Sequence, residues 1–595
     1  MATAPALVFG VENSLSGKAW RWRGGNMALE DELGGLEIDI VTQLLLSRGV
    51  AQDEVERHRA PSMRNFLPDP SLFRDMDTAA ERLAQAVLTG EAVTIYGDYD
   101  VDGATSAALL IRLLRLLGLS PRHYIPDRLL EGYGPSGEAL VRIAGEGSSL
   151  IVTVDCGAMA HEALGMARDA RVDVIVVDHH KCVSELPVTT ALVNPNRLDE
   201  GEIAAGYGHL AAVGVAFLLA IATVRSLRNN GYFKDRSEPD LFGLLDLVAL
   251  GTVADVAQLK GLNRAYVSQG LKVMARRENI GMAALIDASR LNRPPTCSDL
   301  GFALGPRINA GGRVGESNLG VRLLTTDDPD EARDIAAQLS RLNEERRGIE
   351  AAVQEMAETQ IERHHNRAVM VLAGRGWHPG VIGIVAGRIK EKTGKPALVI
   401  ALDADEQGNG KGSGRSIPGV DLGAAIIAAR EAGLLKAGGG HAMAAGLTVE
   451  PGKLEALTDW LDARLGAAVA AASASQALSF DLAVAPGGLT PGLVETLESA
   501  GPFGMGWPSP RVCVGPLRLI KADVVGTDHV RLIVRGEDGA SFKAVAFRSA
   551  SAPLGQALLH GARNRRFWLA GRARIDDWAS RPQAELHIDD AAWAD

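Results

Sequence analysis

Four apolar runs, each closing on acids or histidines, constrain this chain more than any other feature. AVTIY runs into GDYDVDG, SLIVTV ends in DCG, VDVIVV ends in DHH, and LVALGTVADV closes at Asp255. Runs this uniformly apolar, separated by helix-like segments, fit strands of a parallel sheet covered on both faces. Ligands of such α/β sheets bind outside the carboxyl ends of the strands. Asp98, Asp100, Asp102, Asp155, Asp178, His179, His180 and Asp255 all fall at those predicted ends.

The stretch GDYDVDG also opens like a calcium loop, with Asp98, Asp100 and Asp102 at alternate positions before Gly103. The twelfth position of such a loop is a bidentate glutamate; here it is Leu109, and a strand pattern rather than a helix precedes the motif. A strand-end metal site is what remains. Mixed carboxylate and imidazole donors without thiolates suit Mn2+ or Mg2+ and argue against structural zinc. Two such cations about 3.5–4 Å apart, bridged by a shared carboxylate, would neutralise the crowded acids and activate water for attack on phosphorus. One strand-end aspartate is usually a helix cap or turn former. Four strand ends in succession call for more than capping.

The 595 residues exceed a single core. The expected divisions are a mixed N-terminal region (1–75), a catalytic domain (76–330), one long helix (331–365) and a glycine-rich α/β domain (366–465). A low-complexity linker (466–478) and a small β-barrel (479–595) follow. A net charge of −11 counts against a passive nucleic-acid coat but not against an enzyme whose acids hold cations. Cys156, Cys182, Cys297 and Cys513 are scattered, which argues against disulfides and points to a reducing compartment. The N-terminal MATAPALVFG lacks a basic lead, and the apolar run 210–224 falls short of the ~20 residues of a membrane span. A buried core helix and a cytoplasmic location, with no membrane partner, are expected.

GDYDVDG, VDCG, DHH and GTVADV, in that order, resemble the motifs of the DHH phosphoesterases. With PDRLLEGYG, GPRINAGGR, WHPGVIGIVAGRI and GGGHAMAAG added, the chain is similar over nearly its whole length to the RecJ single-stranded-DNA exonucleases. The resemblance implies a parallel-sheet DHH domain joined by a long helix to a smaller DHH-associated α/β domain, plus a C-terminal oligonucleotide-binding barrel. It implies metal ligation by Asp100, Asp102, Asp155, His179 and Asp255, with Asp155 or Asp102 as the bridge. Asp98 reads either as a ligand or as a loop former. His180 would face the scissile phosphate and stabilise its developing charge, and Asp178 would orient a ligand histidine. The implied activity removes 5′-mononucleotides from single-stranded DNA in the 5′→3′ direction with two Mn2+ or Mg2+ ions, in repair and recombination. The implied state is a monomer, and the implied protein partners are single-strand-binding protein and a helicase.

Such an enzyme must grip the strand. Arg128 can pair bidentately with a phosphate and Tyr133 can stack on a base. Ser413, Arg415 and Ser416 of GKGSGRS, read as a glycine-rich loop, could cradle an anion. The segment is no Walker A loop, because it lacks the first glycine and the Ser/Thr after Lys411. By resemblance, Arg128, Ser413 and Arg415 form a 5′-phosphate pocket; Arg307, Asn309 and Arg313 track the strand; and His441, in a glycine loop, lies near the nucleic acid. Trp507, Phe542 and Trp568 read as core and are given no site. Ala158, Gly311, Gly501 and Trp507 depart from the family's commoner residues without removing a ligand. Other DHH activities, on small nucleotides or pyrophosphate, occur in shorter chains without the barrel, and a non-catalytic scaffold would have lost ligands that are present here.

Overall fold

The computed structural model describes residues 5–25, 39–128, 130–403, 408–474, 476–576 and 581–594. They fall into two compact units: Pro68–Ala257 with Gly270–Ser475, and Met1–Leu67 with Gln258–Gln269 and Gln476–Asp595.

In the larger unit, strands β1 (Val93–Gly97), β2 (Arg122–Tyr124), β3 (Leu150–Val154), β4 (Asp173–Val177) and β5 (Ala191–Val193) form one sheet in the order β2-β1-β3-β4-β5. Every pairing is parallel. Residues of β1 and β3 are buried throughout, which is why these runs show no alternation. The strand order reverses between β1 and β3, and a doubly wound sheet opens a crevice at that reversal. Asp98 and Asp155 follow those two strands. Helix α1 (Val101–Leu116) begins at once, capped by the Asp100 side chain, which accepts from the Asp102 and Gly103 N–H groups. The apolar run near 210 is helix α2 (Ala212–Asn229), a largely buried core helix.

One predicted strand is absent. LVALGTVADV forms helix α3 (Leu245–Ala254), so Asp255 closes a helix rather than a strand. A helix that is apolar on every side shows no period, and sequence alone cannot separate it from a buried strand.

After helix α4 (Gly305–Val314), the long helix α5 spans Pro329–Glu358, 30 residues and ~45 Å. It stops short of the expected 365, and a 3-10 turn, Ile361–His364, follows. Arg346, on the buried face of α5 between Leu339 and Val353, is bonded to Asn343 and Glu350.

The second sheet contains β6 (Met370–Arg375), β7 (Ala397–Leu402), β8 (Gly410–Arg415), β9 (Ala437–His441) and β10 (Ala444–Val449), ordered β9-β10-β8-β7-β6. Helix α6 (Ile382–Thr393) packs on it. Here GKGSGRS is not a loop: its first six residues are strand β8. Its glycines alternate with Lys411, Ser413 and Arg415, and they occupy the face where neighbours press in. A Cβ would meet Ile400 at 2.8 Å from Gly410, Leu447 at 2.7 Å from Gly412 and Leu422 at 2.7 Å from Gly414. GGGHAMAAG likewise forms the β9–β10 hairpin, not a free glycine loop. The predicted linker is helix up to residue 474, as the end of α7 (Leu454–Ala474), because its alanines favour helix.

In the smaller unit, β11 (Val512–Val525), β12 (His529–Gly536), β13 (Ser541–Ala546), β14 (Phe567–Ile575) and β15 (Ala584–Trp593) close a five-stranded barrel. Its pairings run β11-β12-β13-β15-β14 and back to β11. The N-terminal region is not separate: Ala19–Trp22 pairs with Ala477–Phe480, and Trp20 donates to Asp590. Trp507 is buried, with the guanidinium groups of Arg48 and Arg264 4.9 and 4.6 Å from its ring. Phe542 is buried too, and Trp568 stacks on Phe9 with centroids 4.0 Å apart.

Candidate metal centre and anion cleft

The sheet ladder sets three of the acids in register. The Asp98 N–H donates to Val154 O (3.2 Å), that of Asp155 to Val177 O (3.0 Å) and that of Asp178 to Val193 O (3.1 Å). Each carboxylate is therefore carried one residue past the end of its strand. Asp155 adopts a left-handed backbone (φ 60°), at some cost for a residue with a Cβ. Gly103 has no alternative here, because a Cβ would stand 2.3 Å from the Asp98 carbonyl oxygen.

Donor atoms gather in three overlapping groups, each within 4.8 Å: Asp98, Asp100 and Asp155; Asp155, His179 and His180; Asp102, His179 and Asp255. Asp155 and His179 each belong to two. His179 Nδ1 lies 3.0 Å from Leu210 O, which leaves Nε2 facing Asp155 Oδ1 at 3.2 Å. Asp98 Oδ1, Asp155 Oδ1 and His179 Nε2 are buried without hydrogen-bond partners, a costly state unless a cation fills the gap.

Electrostatics point the same way. Burial first, then neighbouring carboxylates, push Asp98 and Asp155 well above the usual carboxylate range. The same causes bring Asp102 to about 7 and Asp255 to about 8. Asp255 also caps the C-terminal end of α3, where the helix dipole disfavours negative charge. Asp102 is opposed by two donors, since its oxygens accept the N–H groups of Ala212 (2.7 Å) and Val213 (2.9 Å) at the start of α2. Burial lowers His179 to about 4, keeping it neutral and available as a ligand. This donor set fits hard divalent cations.

Asp178 does something different from what its motif implied. Its Oδ1 accepts from His180 Nδ1 (2.7 Å) and from the N–H groups of His179 and His180, and its Oδ2 from Ala158 N (2.9 Å). It thus orients His180, not the ring of the candidate ligand His179, which the Leu210 carbonyl holds. Burial opposes its charge, but these bonds bring Asp178 down to about 2. Burial likewise opposes the charge of His180, yet the Asp178 bond raises it to about 9.

Next to the acids lies a cleft of about 720 Å³, lined among others by Arg128, Tyr133, Arg313, Lys411, Ser413 and Arg415. Arg128 stacks over Tyr99, 4.9 Å from its ring, and Arg313 donates to Gly380 O (2.7 Å). Burial first, then the neighbouring arginines, lowers Arg313 to about 10, and burial and Arg128 lower Arg415. Such crowded cations await an anion. The Tyr133 hydroxyl donates to Asp155 O (3.1 Å) and lies 3.0 Å from His180 Nδ1, while the residue stays 54% exposed.

Four residues predicted to contact the strand do not line this cleft. The Arg307 guanidinium is tied to Ser340 Oγ and Ala303 O, and Asn309 is half-buried on α4 without lining the cleft. Ser416 is buried and donates inward to Val420 O (2.7 Å), and His441 is exposed at the tip of the β9–β10 hairpin. Conversely, sequence reasoning missed Lys411 and Tyr99. A strand period of two across GKGSGR would have put Lys411 beside Ser413 and Arg415.

The chain matches the DHH family, N-terminal domain, over residues 92–252, the DHHA1 domain over 366–467 and the RecJ OB domain over 480–590. It is 40% identical over 508 residues to the single-stranded-DNA-specific exonuclease RecJ of Dickeya dadantii, covering 83% of this chain and 86% of that one. The crystal structure of Thermus thermophilus RecJ in complex with Mn2+ superposes with a TM-score of 0.74 at 28% identity, covering 93% of this chain and 75% of that one. The Mg2+ complex of that protein gives 0.68 at 27% identity, covering 93% and 74%. With a 40%-identical relative, a two-carboxylate switch point and the expected barrel all in place, the chain belongs to the RecJ family of single-stranded-DNA-specific exonucleases.

Proposed function

We propose that this protein is a metal-dependent exonuclease that shortens single-stranded DNA from its 5′ end, one 5′-mononucleotide at a time. The sharing of Asp155 and His179 between donor groups, beside an arginine-lined cleft, carries the reading. Asp98, Asp100 and Asp155 would hold one divalent cation, and Asp102, His179 and Asp255 a second that Asp155, 3.2 Å from His179 Nε2, would also serve. When bound, Mn2+ or Mg2+ supplies Lewis acidity and neutralises charge at the scissile phosphate. The residues do the rest. Asp178 fixes His180 in its charged form, so that its ring offers a cationic donor to the phosphate as negative charge develops. Tyr133 steadies the Asp155 turn and presents its ring to the first base. Arg128, Ser413 and Arg415 take the terminal 5′-phosphate, so the first internucleotide phosphorus falls among the acids. Water attacks there and the 3′ oxygen departs.

A monomeric state, a cytoplasmic location, a role in repair and recombination, and partnership with single-strand-binding protein and a helicase complete the reading; family membership supports them.

The test compares the protein with Asp255→Asn, which spares the Asp102 cap of α2. With Mn2+ and single strands labelled at either end, the parent should release label as mononucleotide from the 5′ end, and the variant should not. Internal cleavage, duplex preference or a fully active variant would overturn the reading.

A further inference from the structure

Strand β8 carries one more cation than a terminal monophosphate needs. Lys411, Ser413 and Arg415 face the cleft at alternate positions, so Lys411 stands ~13 Å from Arg415 along the strand. The Arg415 end is the one turned toward the metal loop. Tyr99, between Asp98 and Asp100, lies under Arg128, and its carbonyl oxygen would meet a Cβ on Gly312, beside Arg313, at 2.8 Å. A Cβ on Gly383, in the first turn of α6, would stand 2.9 Å from Ser413 Oγ and 3.2 Å from Arg415 Nη2. Arg128, Arg313, Ser413 and Arg415 therefore gather at one end. Lys411 lies beyond them, exposed, and among the described residues its ammonium group has no hydrogen-bond or ion-pair partner.

The cleft continues to that far end over Ala437, Gly438, Leu447 and Thr448, and its 720 Å³ is ample for a ligand well beyond a single phosphate. The nucleotide being removed runs from the terminal phosphate toward the acids. Nothing of a monophosphorylated strand then reaches Lys411; only a group on the outer side of the terminal phosphate would. We propose that the cleft accepts 5′-polyphosphorylated single strands, with Lys411 receiving the outer phosphates of a 5′-triphosphate while Arg128, Ser413 and Arg415 hold the innermost. The inference rests on the assignment of the terminal phosphate to those three residues.

The reaction is otherwise unchanged. Water adds to the first internucleotide phosphorus, the bond from that phosphorus to the 3′ oxygen breaks, and a proton goes to the departing oxygen. The products are a nucleoside 5′-triphosphate and a strand one residue shorter with an ordinary 5′-phosphate. The anhydride bonds stay intact.

The experiment uses the full-length protein with Mn2+ and single strands of one sequence ending in 5′-triphosphate, 5′-monophosphate or 5′-hydroxyl. The triphosphate strand should yield a nucleoside triphosphate as its first product, at a kcat/KM well above that of the hydroxyl strand. Lys411→Ala should lower the triphosphate-to-monophosphate ratio of kcat/KM about tenfold, the worth of one charge-assisted contact, and Lys411→Arg should retain it. The inference is overturned if the triphosphate strand is degraded no faster than the hydroxyl strand. It is also overturned if pyrophosphate appears before any nucleotide, or if Lys411→Ala lowers both ends equally. Resistance of the monophosphate strand to the parent would refute the terminal-phosphate site itself; resistance of the triphosphate strand alone would overturn this inference and leave that site standing.

Discussion

His179 is pinned by the Leu210 carbonyl, 3.0 Å from Nδ1, and so turns Nε2 to within 3.2 Å of Asp155 Oδ1. The backbone fixes the tautomer, and the free lone pair enters the acid cluster. Because Asp155 serves two donor groups and Asp255 one, their removal should differ in kind. Calorimetric titration with Mn2+ is expected to show two sites in the parent, one in Asp255→Asn and none in Asp155→Asn. Exonuclease activity in Asp155→Asn should fall by more than the roughly 10–100-fold that loss of a ligand's supporting partner costs. Equal stoichiometry in the two variants would contradict the shared role.

The raised carboxylates give the metal-free protein a pH dependence. Asp102 and Asp255 move from an ordinary 3.8 to about 7 and about 8. A raised acid favours the folded state while protonated, so this contribution is full below about pH 4 and is lost as pH climbs through about 8. The Tm of the metal-free protein should therefore decline across that window. Mn2+ should raise it more at pH 8 than at pH 6, because binding requires the deprotonated carboxylates. Thermal shifts of equal size at both pH values would refute this.

Two serines three residues apart should behave oppositely. Ser413 faces the cleft, whereas Ser416 is bonded inward to Val420 O. Ser413→Ala is expected to raise KM for 5′-phosphorylated strands about 3–10-fold with little change in Tm. Ser416→Ala should leave KM alone and destabilise by about 1 kcal/mol. Steady-state kinetics and denaturant unfolding separate the cases.

The two faces of β8 can be probed in the same way. Gly414→Val would drive a side chain into Leu422, whose Cδ2 would stand 2.7 Å from the new Cβ, at a cost of about 1–3 kcal/mol. Lys411→Ala, on the cleft face, should stay within about 0.5 kcal/mol of the parent. A neutral Gly414→Val would mean that the strand has room on its core face.

The parallel sheet and its acid-bearing ends were legible because β1, β3 and β4 are apolar runs that stop at charged residues. The run before Asp255 was misread for the converse reason: buried on every side, α3 offers no period to distinguish it from a strand. Glycine misled twice. In β8 and β9 it permits close packing of neighbours rather than a turn, so residues predicted on loops sit on strands, and Lys411 is assigned no contact from sequence. Ser416 and Arg307 had the right chemistry in the right motifs, but only coordinates reveal that one points inward and the other is tied to α5. Asp178 was expected to support a ligand histidine; the bond it makes is to the next ring along.

Asp102 sits at 1% exposure with both oxygens on the first N–H groups of α2, an 18-residue core helix. One carboxylate thus belongs at once to the acid cluster and to the scaffold's foundations. A descendant of this chain that abandoned hydrolysis and kept only its grip on nucleic acid could shed Asp255 freely, but not Asp102. Across such lineages, persistence of this aspartate would record the demands of folding, and disappearance of Asp255 would mark where catalysis ended.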